Sequence, residues 1–178
     1  ARGLGIELLT ILALLATLPA TPEHAQHELT LQAALGVALT PLQGYSAPEV
    51  VQAYTRARAL ARHVGEPPQM FPMMWGLWVL AFVRGDLQAA REVAEQLVTR
   101  AQRSGDAAQG LEAHLALGAT WHHLGAAGMA RTHLEQALAL GDPQQRWAHV
   151  LRFGQDPQPI ALALLACVLW VLGWPDQG

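Results

Sequence analysis

Histidine is the reactive side chain that this sequence supplies in number, with eight copies in 178 residues. His24 and His27 stand three residues apart, a spacing that can place both rings on one side of a helix, as a metal site requires. His122 and His123 are adjacent and therefore about 100° apart around a helix, which is poor for shared ligation. No carboxylate lies close to them in sequence to orient either ring as a general base. We therefore predict no metal site, no cofactor and no catalytic histidine.

The other catalytic classes lack their characteristic residues. All eleven basic residues are arginines, so the chain has no P-loop lysine and no Schiff-base lysine. Its single cysteine, Cys167, lies in an apolar run, which predicts a small buried hydrophobe and excludes an internal disulfide or a zinc ribbon. The arginines are scattered in a chain of net charge −3, so we expect no nucleic-acid partner. We predict that the protein is not an enzyme.

The apolar stretch Leu8 to Leu18 follows Arg2 and resembles the hydrophobic part of a signal peptide. It is too short to span a bilayer. We expect it to form a packed helix instead, in a cytoplasmic protein that has no membrane partner.

Helix signals organise the whole chain, which is 52% hydrophobic and only 14% charged. Apolar residues recur at spacings of three and four, and alanine and leucine dominate over β-branched residues, which predicts an all-α fold. Asp86, Asp106 and Asp156 are typical N-caps, and Ser46 with Glu49 forms a capping box. The predicted helices cover 4–18, 22–42, 47–64, 69–83, 87–104, 107–124, 127–140 and 157–172, with a turn or short helix over 143–153.

An internal repeat relates segments that lie forty residues apart, beginning at Trp78 and at Gly118. In each copy a helix, a glycine-containing turn and a second helix follow one another, and small residues such as Gly118, Ala130 and Ala137 mark the close approach of the two helices. Such a unit must stack on its neighbours to bury its apolar face. We predict a single domain, 1–178, with a leading helix 1–20, repeats 22–66, 68–105 and 106–142, an insert 143–156 and a truncated repeat 157–178.

These residues resemble the tetratricopeptide repeat, most closely over Leu117-Gly118, Trp121, Gly125, Ala130, Ala137 and Asp142-Pro143. The resemblance implies a right-handed α-solenoid. The segments 44–50, 69–78 and 153–157 are also similar to the repeat region of large bacterial class III adenylate-cyclase-like signalling proteins, although no cyclase or nucleotide-binding residue is present. That resemblance implies a non-catalytic part of a larger signalling protein.

The first helix of each tetratricopeptide unit lines a concave groove, and the resemblance places the binding surface accordingly. The implied groove residues are Trp75, Val79, Phe82, Glu112, Leu115, Ala119, His122, His123 and Trp170. This surface is apolar and nearly uncharged, which favours a protein or peptide with an apolar segment over an acidic tail.

Two function classes follow from this groove. The first is a protein interaction or self-assembly module, for which we expect a homo-oligomer that uses apolar residues near the chain ends, such as Ile6, Leu9, Leu169 and Trp174. The second is a sensor domain that binds an apolar small molecule between its helices.

Overall fold

The computed structural model describes residues 10, 13–14, 21–64, 70–153 and 155–174. Throughout these residues the chain forms helices joined by short turns and no β-strand, which confirms the all-α prediction. The helices are α1 Pro22–Gln43, α2 Pro48–Val64, α3 Met70–Val83, α4 Leu87–Ser104, α5 Ala107–His123, α6 Ala127–Leu140, a 3₁₀ turn Pro143–Gln145, α7 Arg146–Phe153 and α8 Pro157–Val171.

Two expectations concern the beginning of the chain. Most of the predicted helix 4–18 lies outside the described residues, as do Ile6 and Leu9, while Thr10, Ala13 and Leu14 are described and helical. Within the described ranges, no helix combines the length and the apolar character that crossing a membrane needs.

Aspartate caps begin three helices of the second half of the chain, as predicted. The carboxylates of Asp86, Asp106 and Asp156 accept hydrogen bonds from backbone N–H groups in the first turns of α4, α5 and α8. The predicted cap at Ser46 is one residue too early, because α2 begins at Pro48. Proline has no N–H group to satisfy and a φ angle suited to the first helical position, so the flanking residue is Ala47.

The chain divides into two compact units, residues 1–83 and 84–178. The sequence predicts one domain, and the division falls between α3 and α4, inside the predicted repeat 68–105. Unit 1 contains α1 to α3, and unit 2 contains α4 to α8.

Unit 1 is organised around Tyr54 of α2, whose ring lies between α1 and α3. A Cβ atom at Gly36 of α1 or at Gly76 of α3 would overlap opposite edges of that ring, so glycine lets both backbones approach it. The Tyr54 hydroxyl lies 3.1 Å from Oγ1 of Thr40, and burial raises the pKa of Tyr54 to about 12.

In unit 2, α5 packs against α4, α6 and α8, and α6 also packs against α8. The α5–α6 crossing is close at Gly118, where a Cβ atom would lie 2.7 Å from Cγ of Leu134 and 3.2 Å from its backbone nitrogen. Ala130 and Ala137 of α6 are fully buried. The small residues that the repeat pattern singles out therefore lie in the tightly packed interior of this unit.

Helices α4 and α6 of unit 2 share a pattern of side-chain contacts. On α4, Arg91 pairs with Glu95 and its guanidinium lies over the ring of Trp121, at 5.5 Å from the ring centre. On α6, Arg131 pairs with Glu135 and lies 5.6 Å from the ring centre of Trp174. The arginine of each helix thus lies over a tryptophan, Trp121 near the end of α5 or Trp174 beyond the end of α8.

Candidate binding surfaces

The predicted groove residues of α3 lie together on unit 1. Trp75, Val79 and Phe82 are partly exposed, while Trp78 is buried beside them. The ring centres of Trp75 and Trp78 are 4.8 Å apart, and those of Trp78 and Phe82 are 5.1 Å apart. These distances describe a row of touching aromatic rings along one helix.

The predicted groove residues of α5 differ in their accessibility. Glu112, Leu115 and Ala119 are buried and do not lie on an open surface of the protein. His122 is partly exposed and His123 is exposed, with their rings edge-on at 5.2 Å. Burial, assisted by the neighbouring His123, lowers the pKa of His122 below its ordinary value.

Glu112 has a structural partner that the sequence did not reveal. Its carboxylate is fully buried, with Oε1 2.8 Å from Nε2 of His149 and Oε2 accepting a hydrogen bond of 3.0 Å from the side-chain amide of Gln155. A buried carboxylate needs such partners because its desolvation is costly. His149 of α7 and Gln155 therefore attach the segment after α6 to α5 at Glu112.

A small cavity of about 70 Å³ lies beside this cluster in unit 2. Its wall includes His149, Asp142 and the ion pair between Arg146 and Asp156. Unit 1 has an open groove of about 820 Å³ along α1 and α2, lined by the Arg56–Glu28 ion pair and by amide side chains. Both spaces are lined by charged and amide groups together with apolar ones.

A second histidine pair joins α5 to α6. Nδ1 of His114 and Nδ1 of His133 are 3.0 Å apart, and both side chains are partly buried. Sequence spacing singles out His24 with His27 and His122 with His123, but not this pair. The turn at Gly125 makes α5 and α6 antiparallel, so residues at similar distances before and after the turn lie side by side. His114 and His133 nearly meet this condition, and the sequence therefore contained a signal for the pair.

Helix α8 has an exposed apolar face, which we call the α8 surface and define by Ile160, Leu162, Ala163, Cys167, Trp170 and Val171. Trp170 is 72% exposed, Val171 67% and Leu162 57%. Cys167 is exposed, so the prediction of a buried cysteine is wrong. Leu169 is buried, so it cannot serve as the contact with a second copy that the sequence suggested. The whole of α8 carries no acidic or basic residue.

The same register relates α8 to α5, at an offset of 48 residues. Both helices end in one kind of turn, with Leu124 bonding back to Thr120 and Leu172 bonding back to Val168. The offset aligns the buried Leu115 and Ala119 of α5 with the exposed Ala163 and Cys167 of α8. Leu115 and Ala119 are therefore covered on α5, whereas the aligned Ala163 and Cys167 are open on α8.

No protein-family model matches the chain, and no curated protein matches its sequence. Among the described residues, no three histidine, cysteine, aspartate or glutamate side chains are grouped so that they could hold a metal ion.

Proposed function

We propose that this chain is a non-catalytic module of tetratricopeptide-like repeats, stacked as a right-handed α-solenoid, which associates with a second copy of itself through the α8 surface. The observation that carries the proposal is the exposure on α8 of Ile160, Ala163 and Cys167, whose equivalents on α5, namely Glu112, Leu115 and Ala119, are buried. An apolar face of this kind is typical of a protein interaction site.

The chemistry of the α8 surface favours a copy of the same helix as the occupant. Covering Ile160, Trp170 and Val171 removes apolar area from water, which is the main favourable contribution to association. Because α8 has no charged side chain, two such faces meet without like-charge repulsion and without leaving an ion unpaired.

The shape of the surface also suits a helix. Ala163 and Cys167 are small and stand one turn apart, so a second helix can approach closely there, while Trp170 flanks the line of contact. In a two-fold symmetric dimer each residue of this line meets the same patch of the partner. Unit 2 already contains a helix contact of this kind, because α8 packs against α5. In the proposed dimer, α8 of the second copy packs against α8 of the first in a similar way.

Sedimentation of matched tryptophan variants tests the proposal. Trp170 on α8 and Trp147 on α7 are 72% and 78% exposed, so an aspartate at either position should be tolerated by the fold. We expect the wild-type chain and Trp147→Asp to form dimers at high micromolar concentration, and Trp170→Asp to be monomeric. A monomeric wild-type chain, or equal association of both variants, would overturn the proposal.

The resemblance to the repeat region of bacterial cyclase-like proteins supports a cytoplasmic signalling context, in which the module assembles copies of a larger protein. A protein with an apolar helix is the other partner that fits the same surface, whereas nucleic acid and membrane are not expected partners. The apolar-ligand sensor has weaker support, because the cavities described above are lined partly by ionic and amide groups.

A further inference from the structure

We propose that His114 and His133 form an acid-sensitive clamp between α5 and α6, closed by one hydrogen bond and opened when both rings are protonated. The inference concerns this helix pair alone and stands whether or not the α8 surface binds a second copy.

The geometry defines the bond. The two Nδ1 atoms are 3.0 Å apart, the ring centres are 5.2 Å apart, and the ring planes differ by 21°. The nitrogens thus lie between the ring centres and point at each other, as in an N–H···N hydrogen bond. A metal ion midway along this line would be about 1.5 Å from each nitrogen, well short of the roughly 2.0–2.1 Å of a zinc–imidazole bond.

The bond requires complementary protonation of the two rings. One Nδ1 must carry a hydrogen and the other must offer its lone pair, so the closed clamp contains two different tautomers, or one neutral and one charged ring. When both rings are charged, two N–H groups face each other at this distance. No hydrogen bond can then form between them, and the two positive charges repel each other.

The surroundings hold the pair neutral. Burial lowers the pKa of His114, and the charge of His133 lowers it further. Burial also lowers the pKa of His133, although a hydrogen bond that His133 donates to Gln136 and the charge of Glu95 on α4 act in the opposite direction.

The other elements around the pair add few charges. Glu95 is itself paired with Arg91, α6 carries the Arg131–Glu135 pair, and α8 has no ionisable side chain except Cys167. On α5, the carboxylate of Glu112 is bonded to His149 and Gln155.

The sign of the pH effect follows from these directions. Both folded-state pKa values lie below the ordinary histidine value, so the clamp stabilises unit 2 fully above about pH 6.5. This contribution is lost as the pH falls through the lower folded-state values, because the unfolded chain then binds more protons than the folded chain.

A double-mutant cycle tests the clamp by thermal unfolding of the full chain at two pH values. The cycle compares wild type, His114→Gln, His133→Gln and the double variant, because glutamine retains a hydrogen-bonding side chain but cannot be protonated. His27→Gln removes an exposed histidine of α1 and serves as the control. We expect wild type and His27→Gln to lose more thermal stability between about pH 7.5 and about pH 5 than His114→Gln does. We also expect His114 and His133 to be energetically coupled at the higher pH and uncoupled at the lower pH.

Nitrogen NMR of the wild-type chain keeps the test decisive if a variant fails to fold. At neutral pH the clamp requires different tautomers for the two rings, with a scalar coupling between the two Nδ1 atoms across the hydrogen bond. Identical tautomers without that coupling would overturn the inference, as would equal pH profiles for wild type and His114→Gln.

Discussion

Helices α5 and α8 of unit 2 are alike in construction and different in surroundings. Each begins at an aspartate cap and ends in the same turn, and their aligned residues Ala113 and Ala161 are both fully buried. On the opposite side of each helix the similarity ends. Leu115 of α5 is 2% exposed, whereas the aligned Ala163 lies on the exposed α8 surface.

The difference shows that helix register and helix burial have separate causes. Register decides which residues share a face, and it follows from the local sequence. Burial of that face depends on the segments that pack on it. Helices α4, α6 and α8 pack on α5, and His149 of α7 bonds to its Glu112, while in the described part of the chain the outer face of α8 stays open to a partner.

The largest expected effect comes from removing a hydrogen-bond partner of the buried Glu112 carboxylate on α5. His149→Ala leaves the Glu112 carboxylate buried with Gln155 as its remaining partner, so we expect the free energy of unfolding to fall by about 3 kcal/mol. His149→Gln keeps a hydrogen-bond donor and should recover part of this loss. Urea denaturation measures both.

The matched control for that prediction lies on α8. Ile160 aligns with Glu112 and is 42% exposed, so Ile160→Gln should change the free energy of unfolding by no more than about 0.5 kcal/mol. If His149→Ala cost no more than Ile160→Gln, the covered and open faces would not differ as described.

A second pair of variants compares the crossing points of the two helices. Gly118→Leu places a side chain against Leu134 and its backbone, so we expect a loss of about 1–3 kcal/mol or more. Ala166, the aligned residue of α8, is partly exposed, and Ala166→Leu should shift the free energy of unfolding by about 0.5 kcal/mol or less. An unchanged thermal midpoint for Gly118→Leu would remove the repeat assignment for α5 and α6.

The smallest expected effect concerns the arginines that lie over tryptophan rings. Arg91→Gln should cost about 1 kcal/mol, because Trp121 is partly buried at the end of α5. Arg131→Gln should cost about 0.5 kcal/mol, because Trp174 beyond α8 is 48% exposed and the contact is more hydrated. Chemical denaturation of both variants checks the order, and a larger loss for Arg131→Gln would reverse the comparison.

Local signals in the sequence were enough to predict most of the helices. Aspartate caps such as Asp106 and left-handed glycines such as Gly125 act within one helical turn, so their effect does not depend on distant residues. Ser46 is not the N-cap of α2, because Pro48 takes the first helical position and leaves Ala47 as the flanking residue. The small residue Gly118 was also predictable, since close helix approach excludes a side chain there.

The contacts that define the candidate surfaces depended on longer distances. Glu112 and His149 are 37 residues apart, and their meeting depends on how the segment after α6 folds back onto α5. The resemblance to the tetratricopeptide repeat carries over helix positions only, and it therefore implies a groove position for Glu112. The apolar neighbours of Cys167 predict that it is buried, but its exposure is decided by which segment packs on α8 and not by composition.

Cross-linking of wild-type protein through Cys167 tests the central claim most directly, because the chain has a single cysteine and it lies on the α8 surface. We predict that a short bis-maleimide produces a covalent dimer, and that alkylation of Cys167 by iodoacetamide slows as protein concentration rises. An alkylation rate independent of concentration up to high micromolar, with no cross-linked dimer, would contradict assembly through α8.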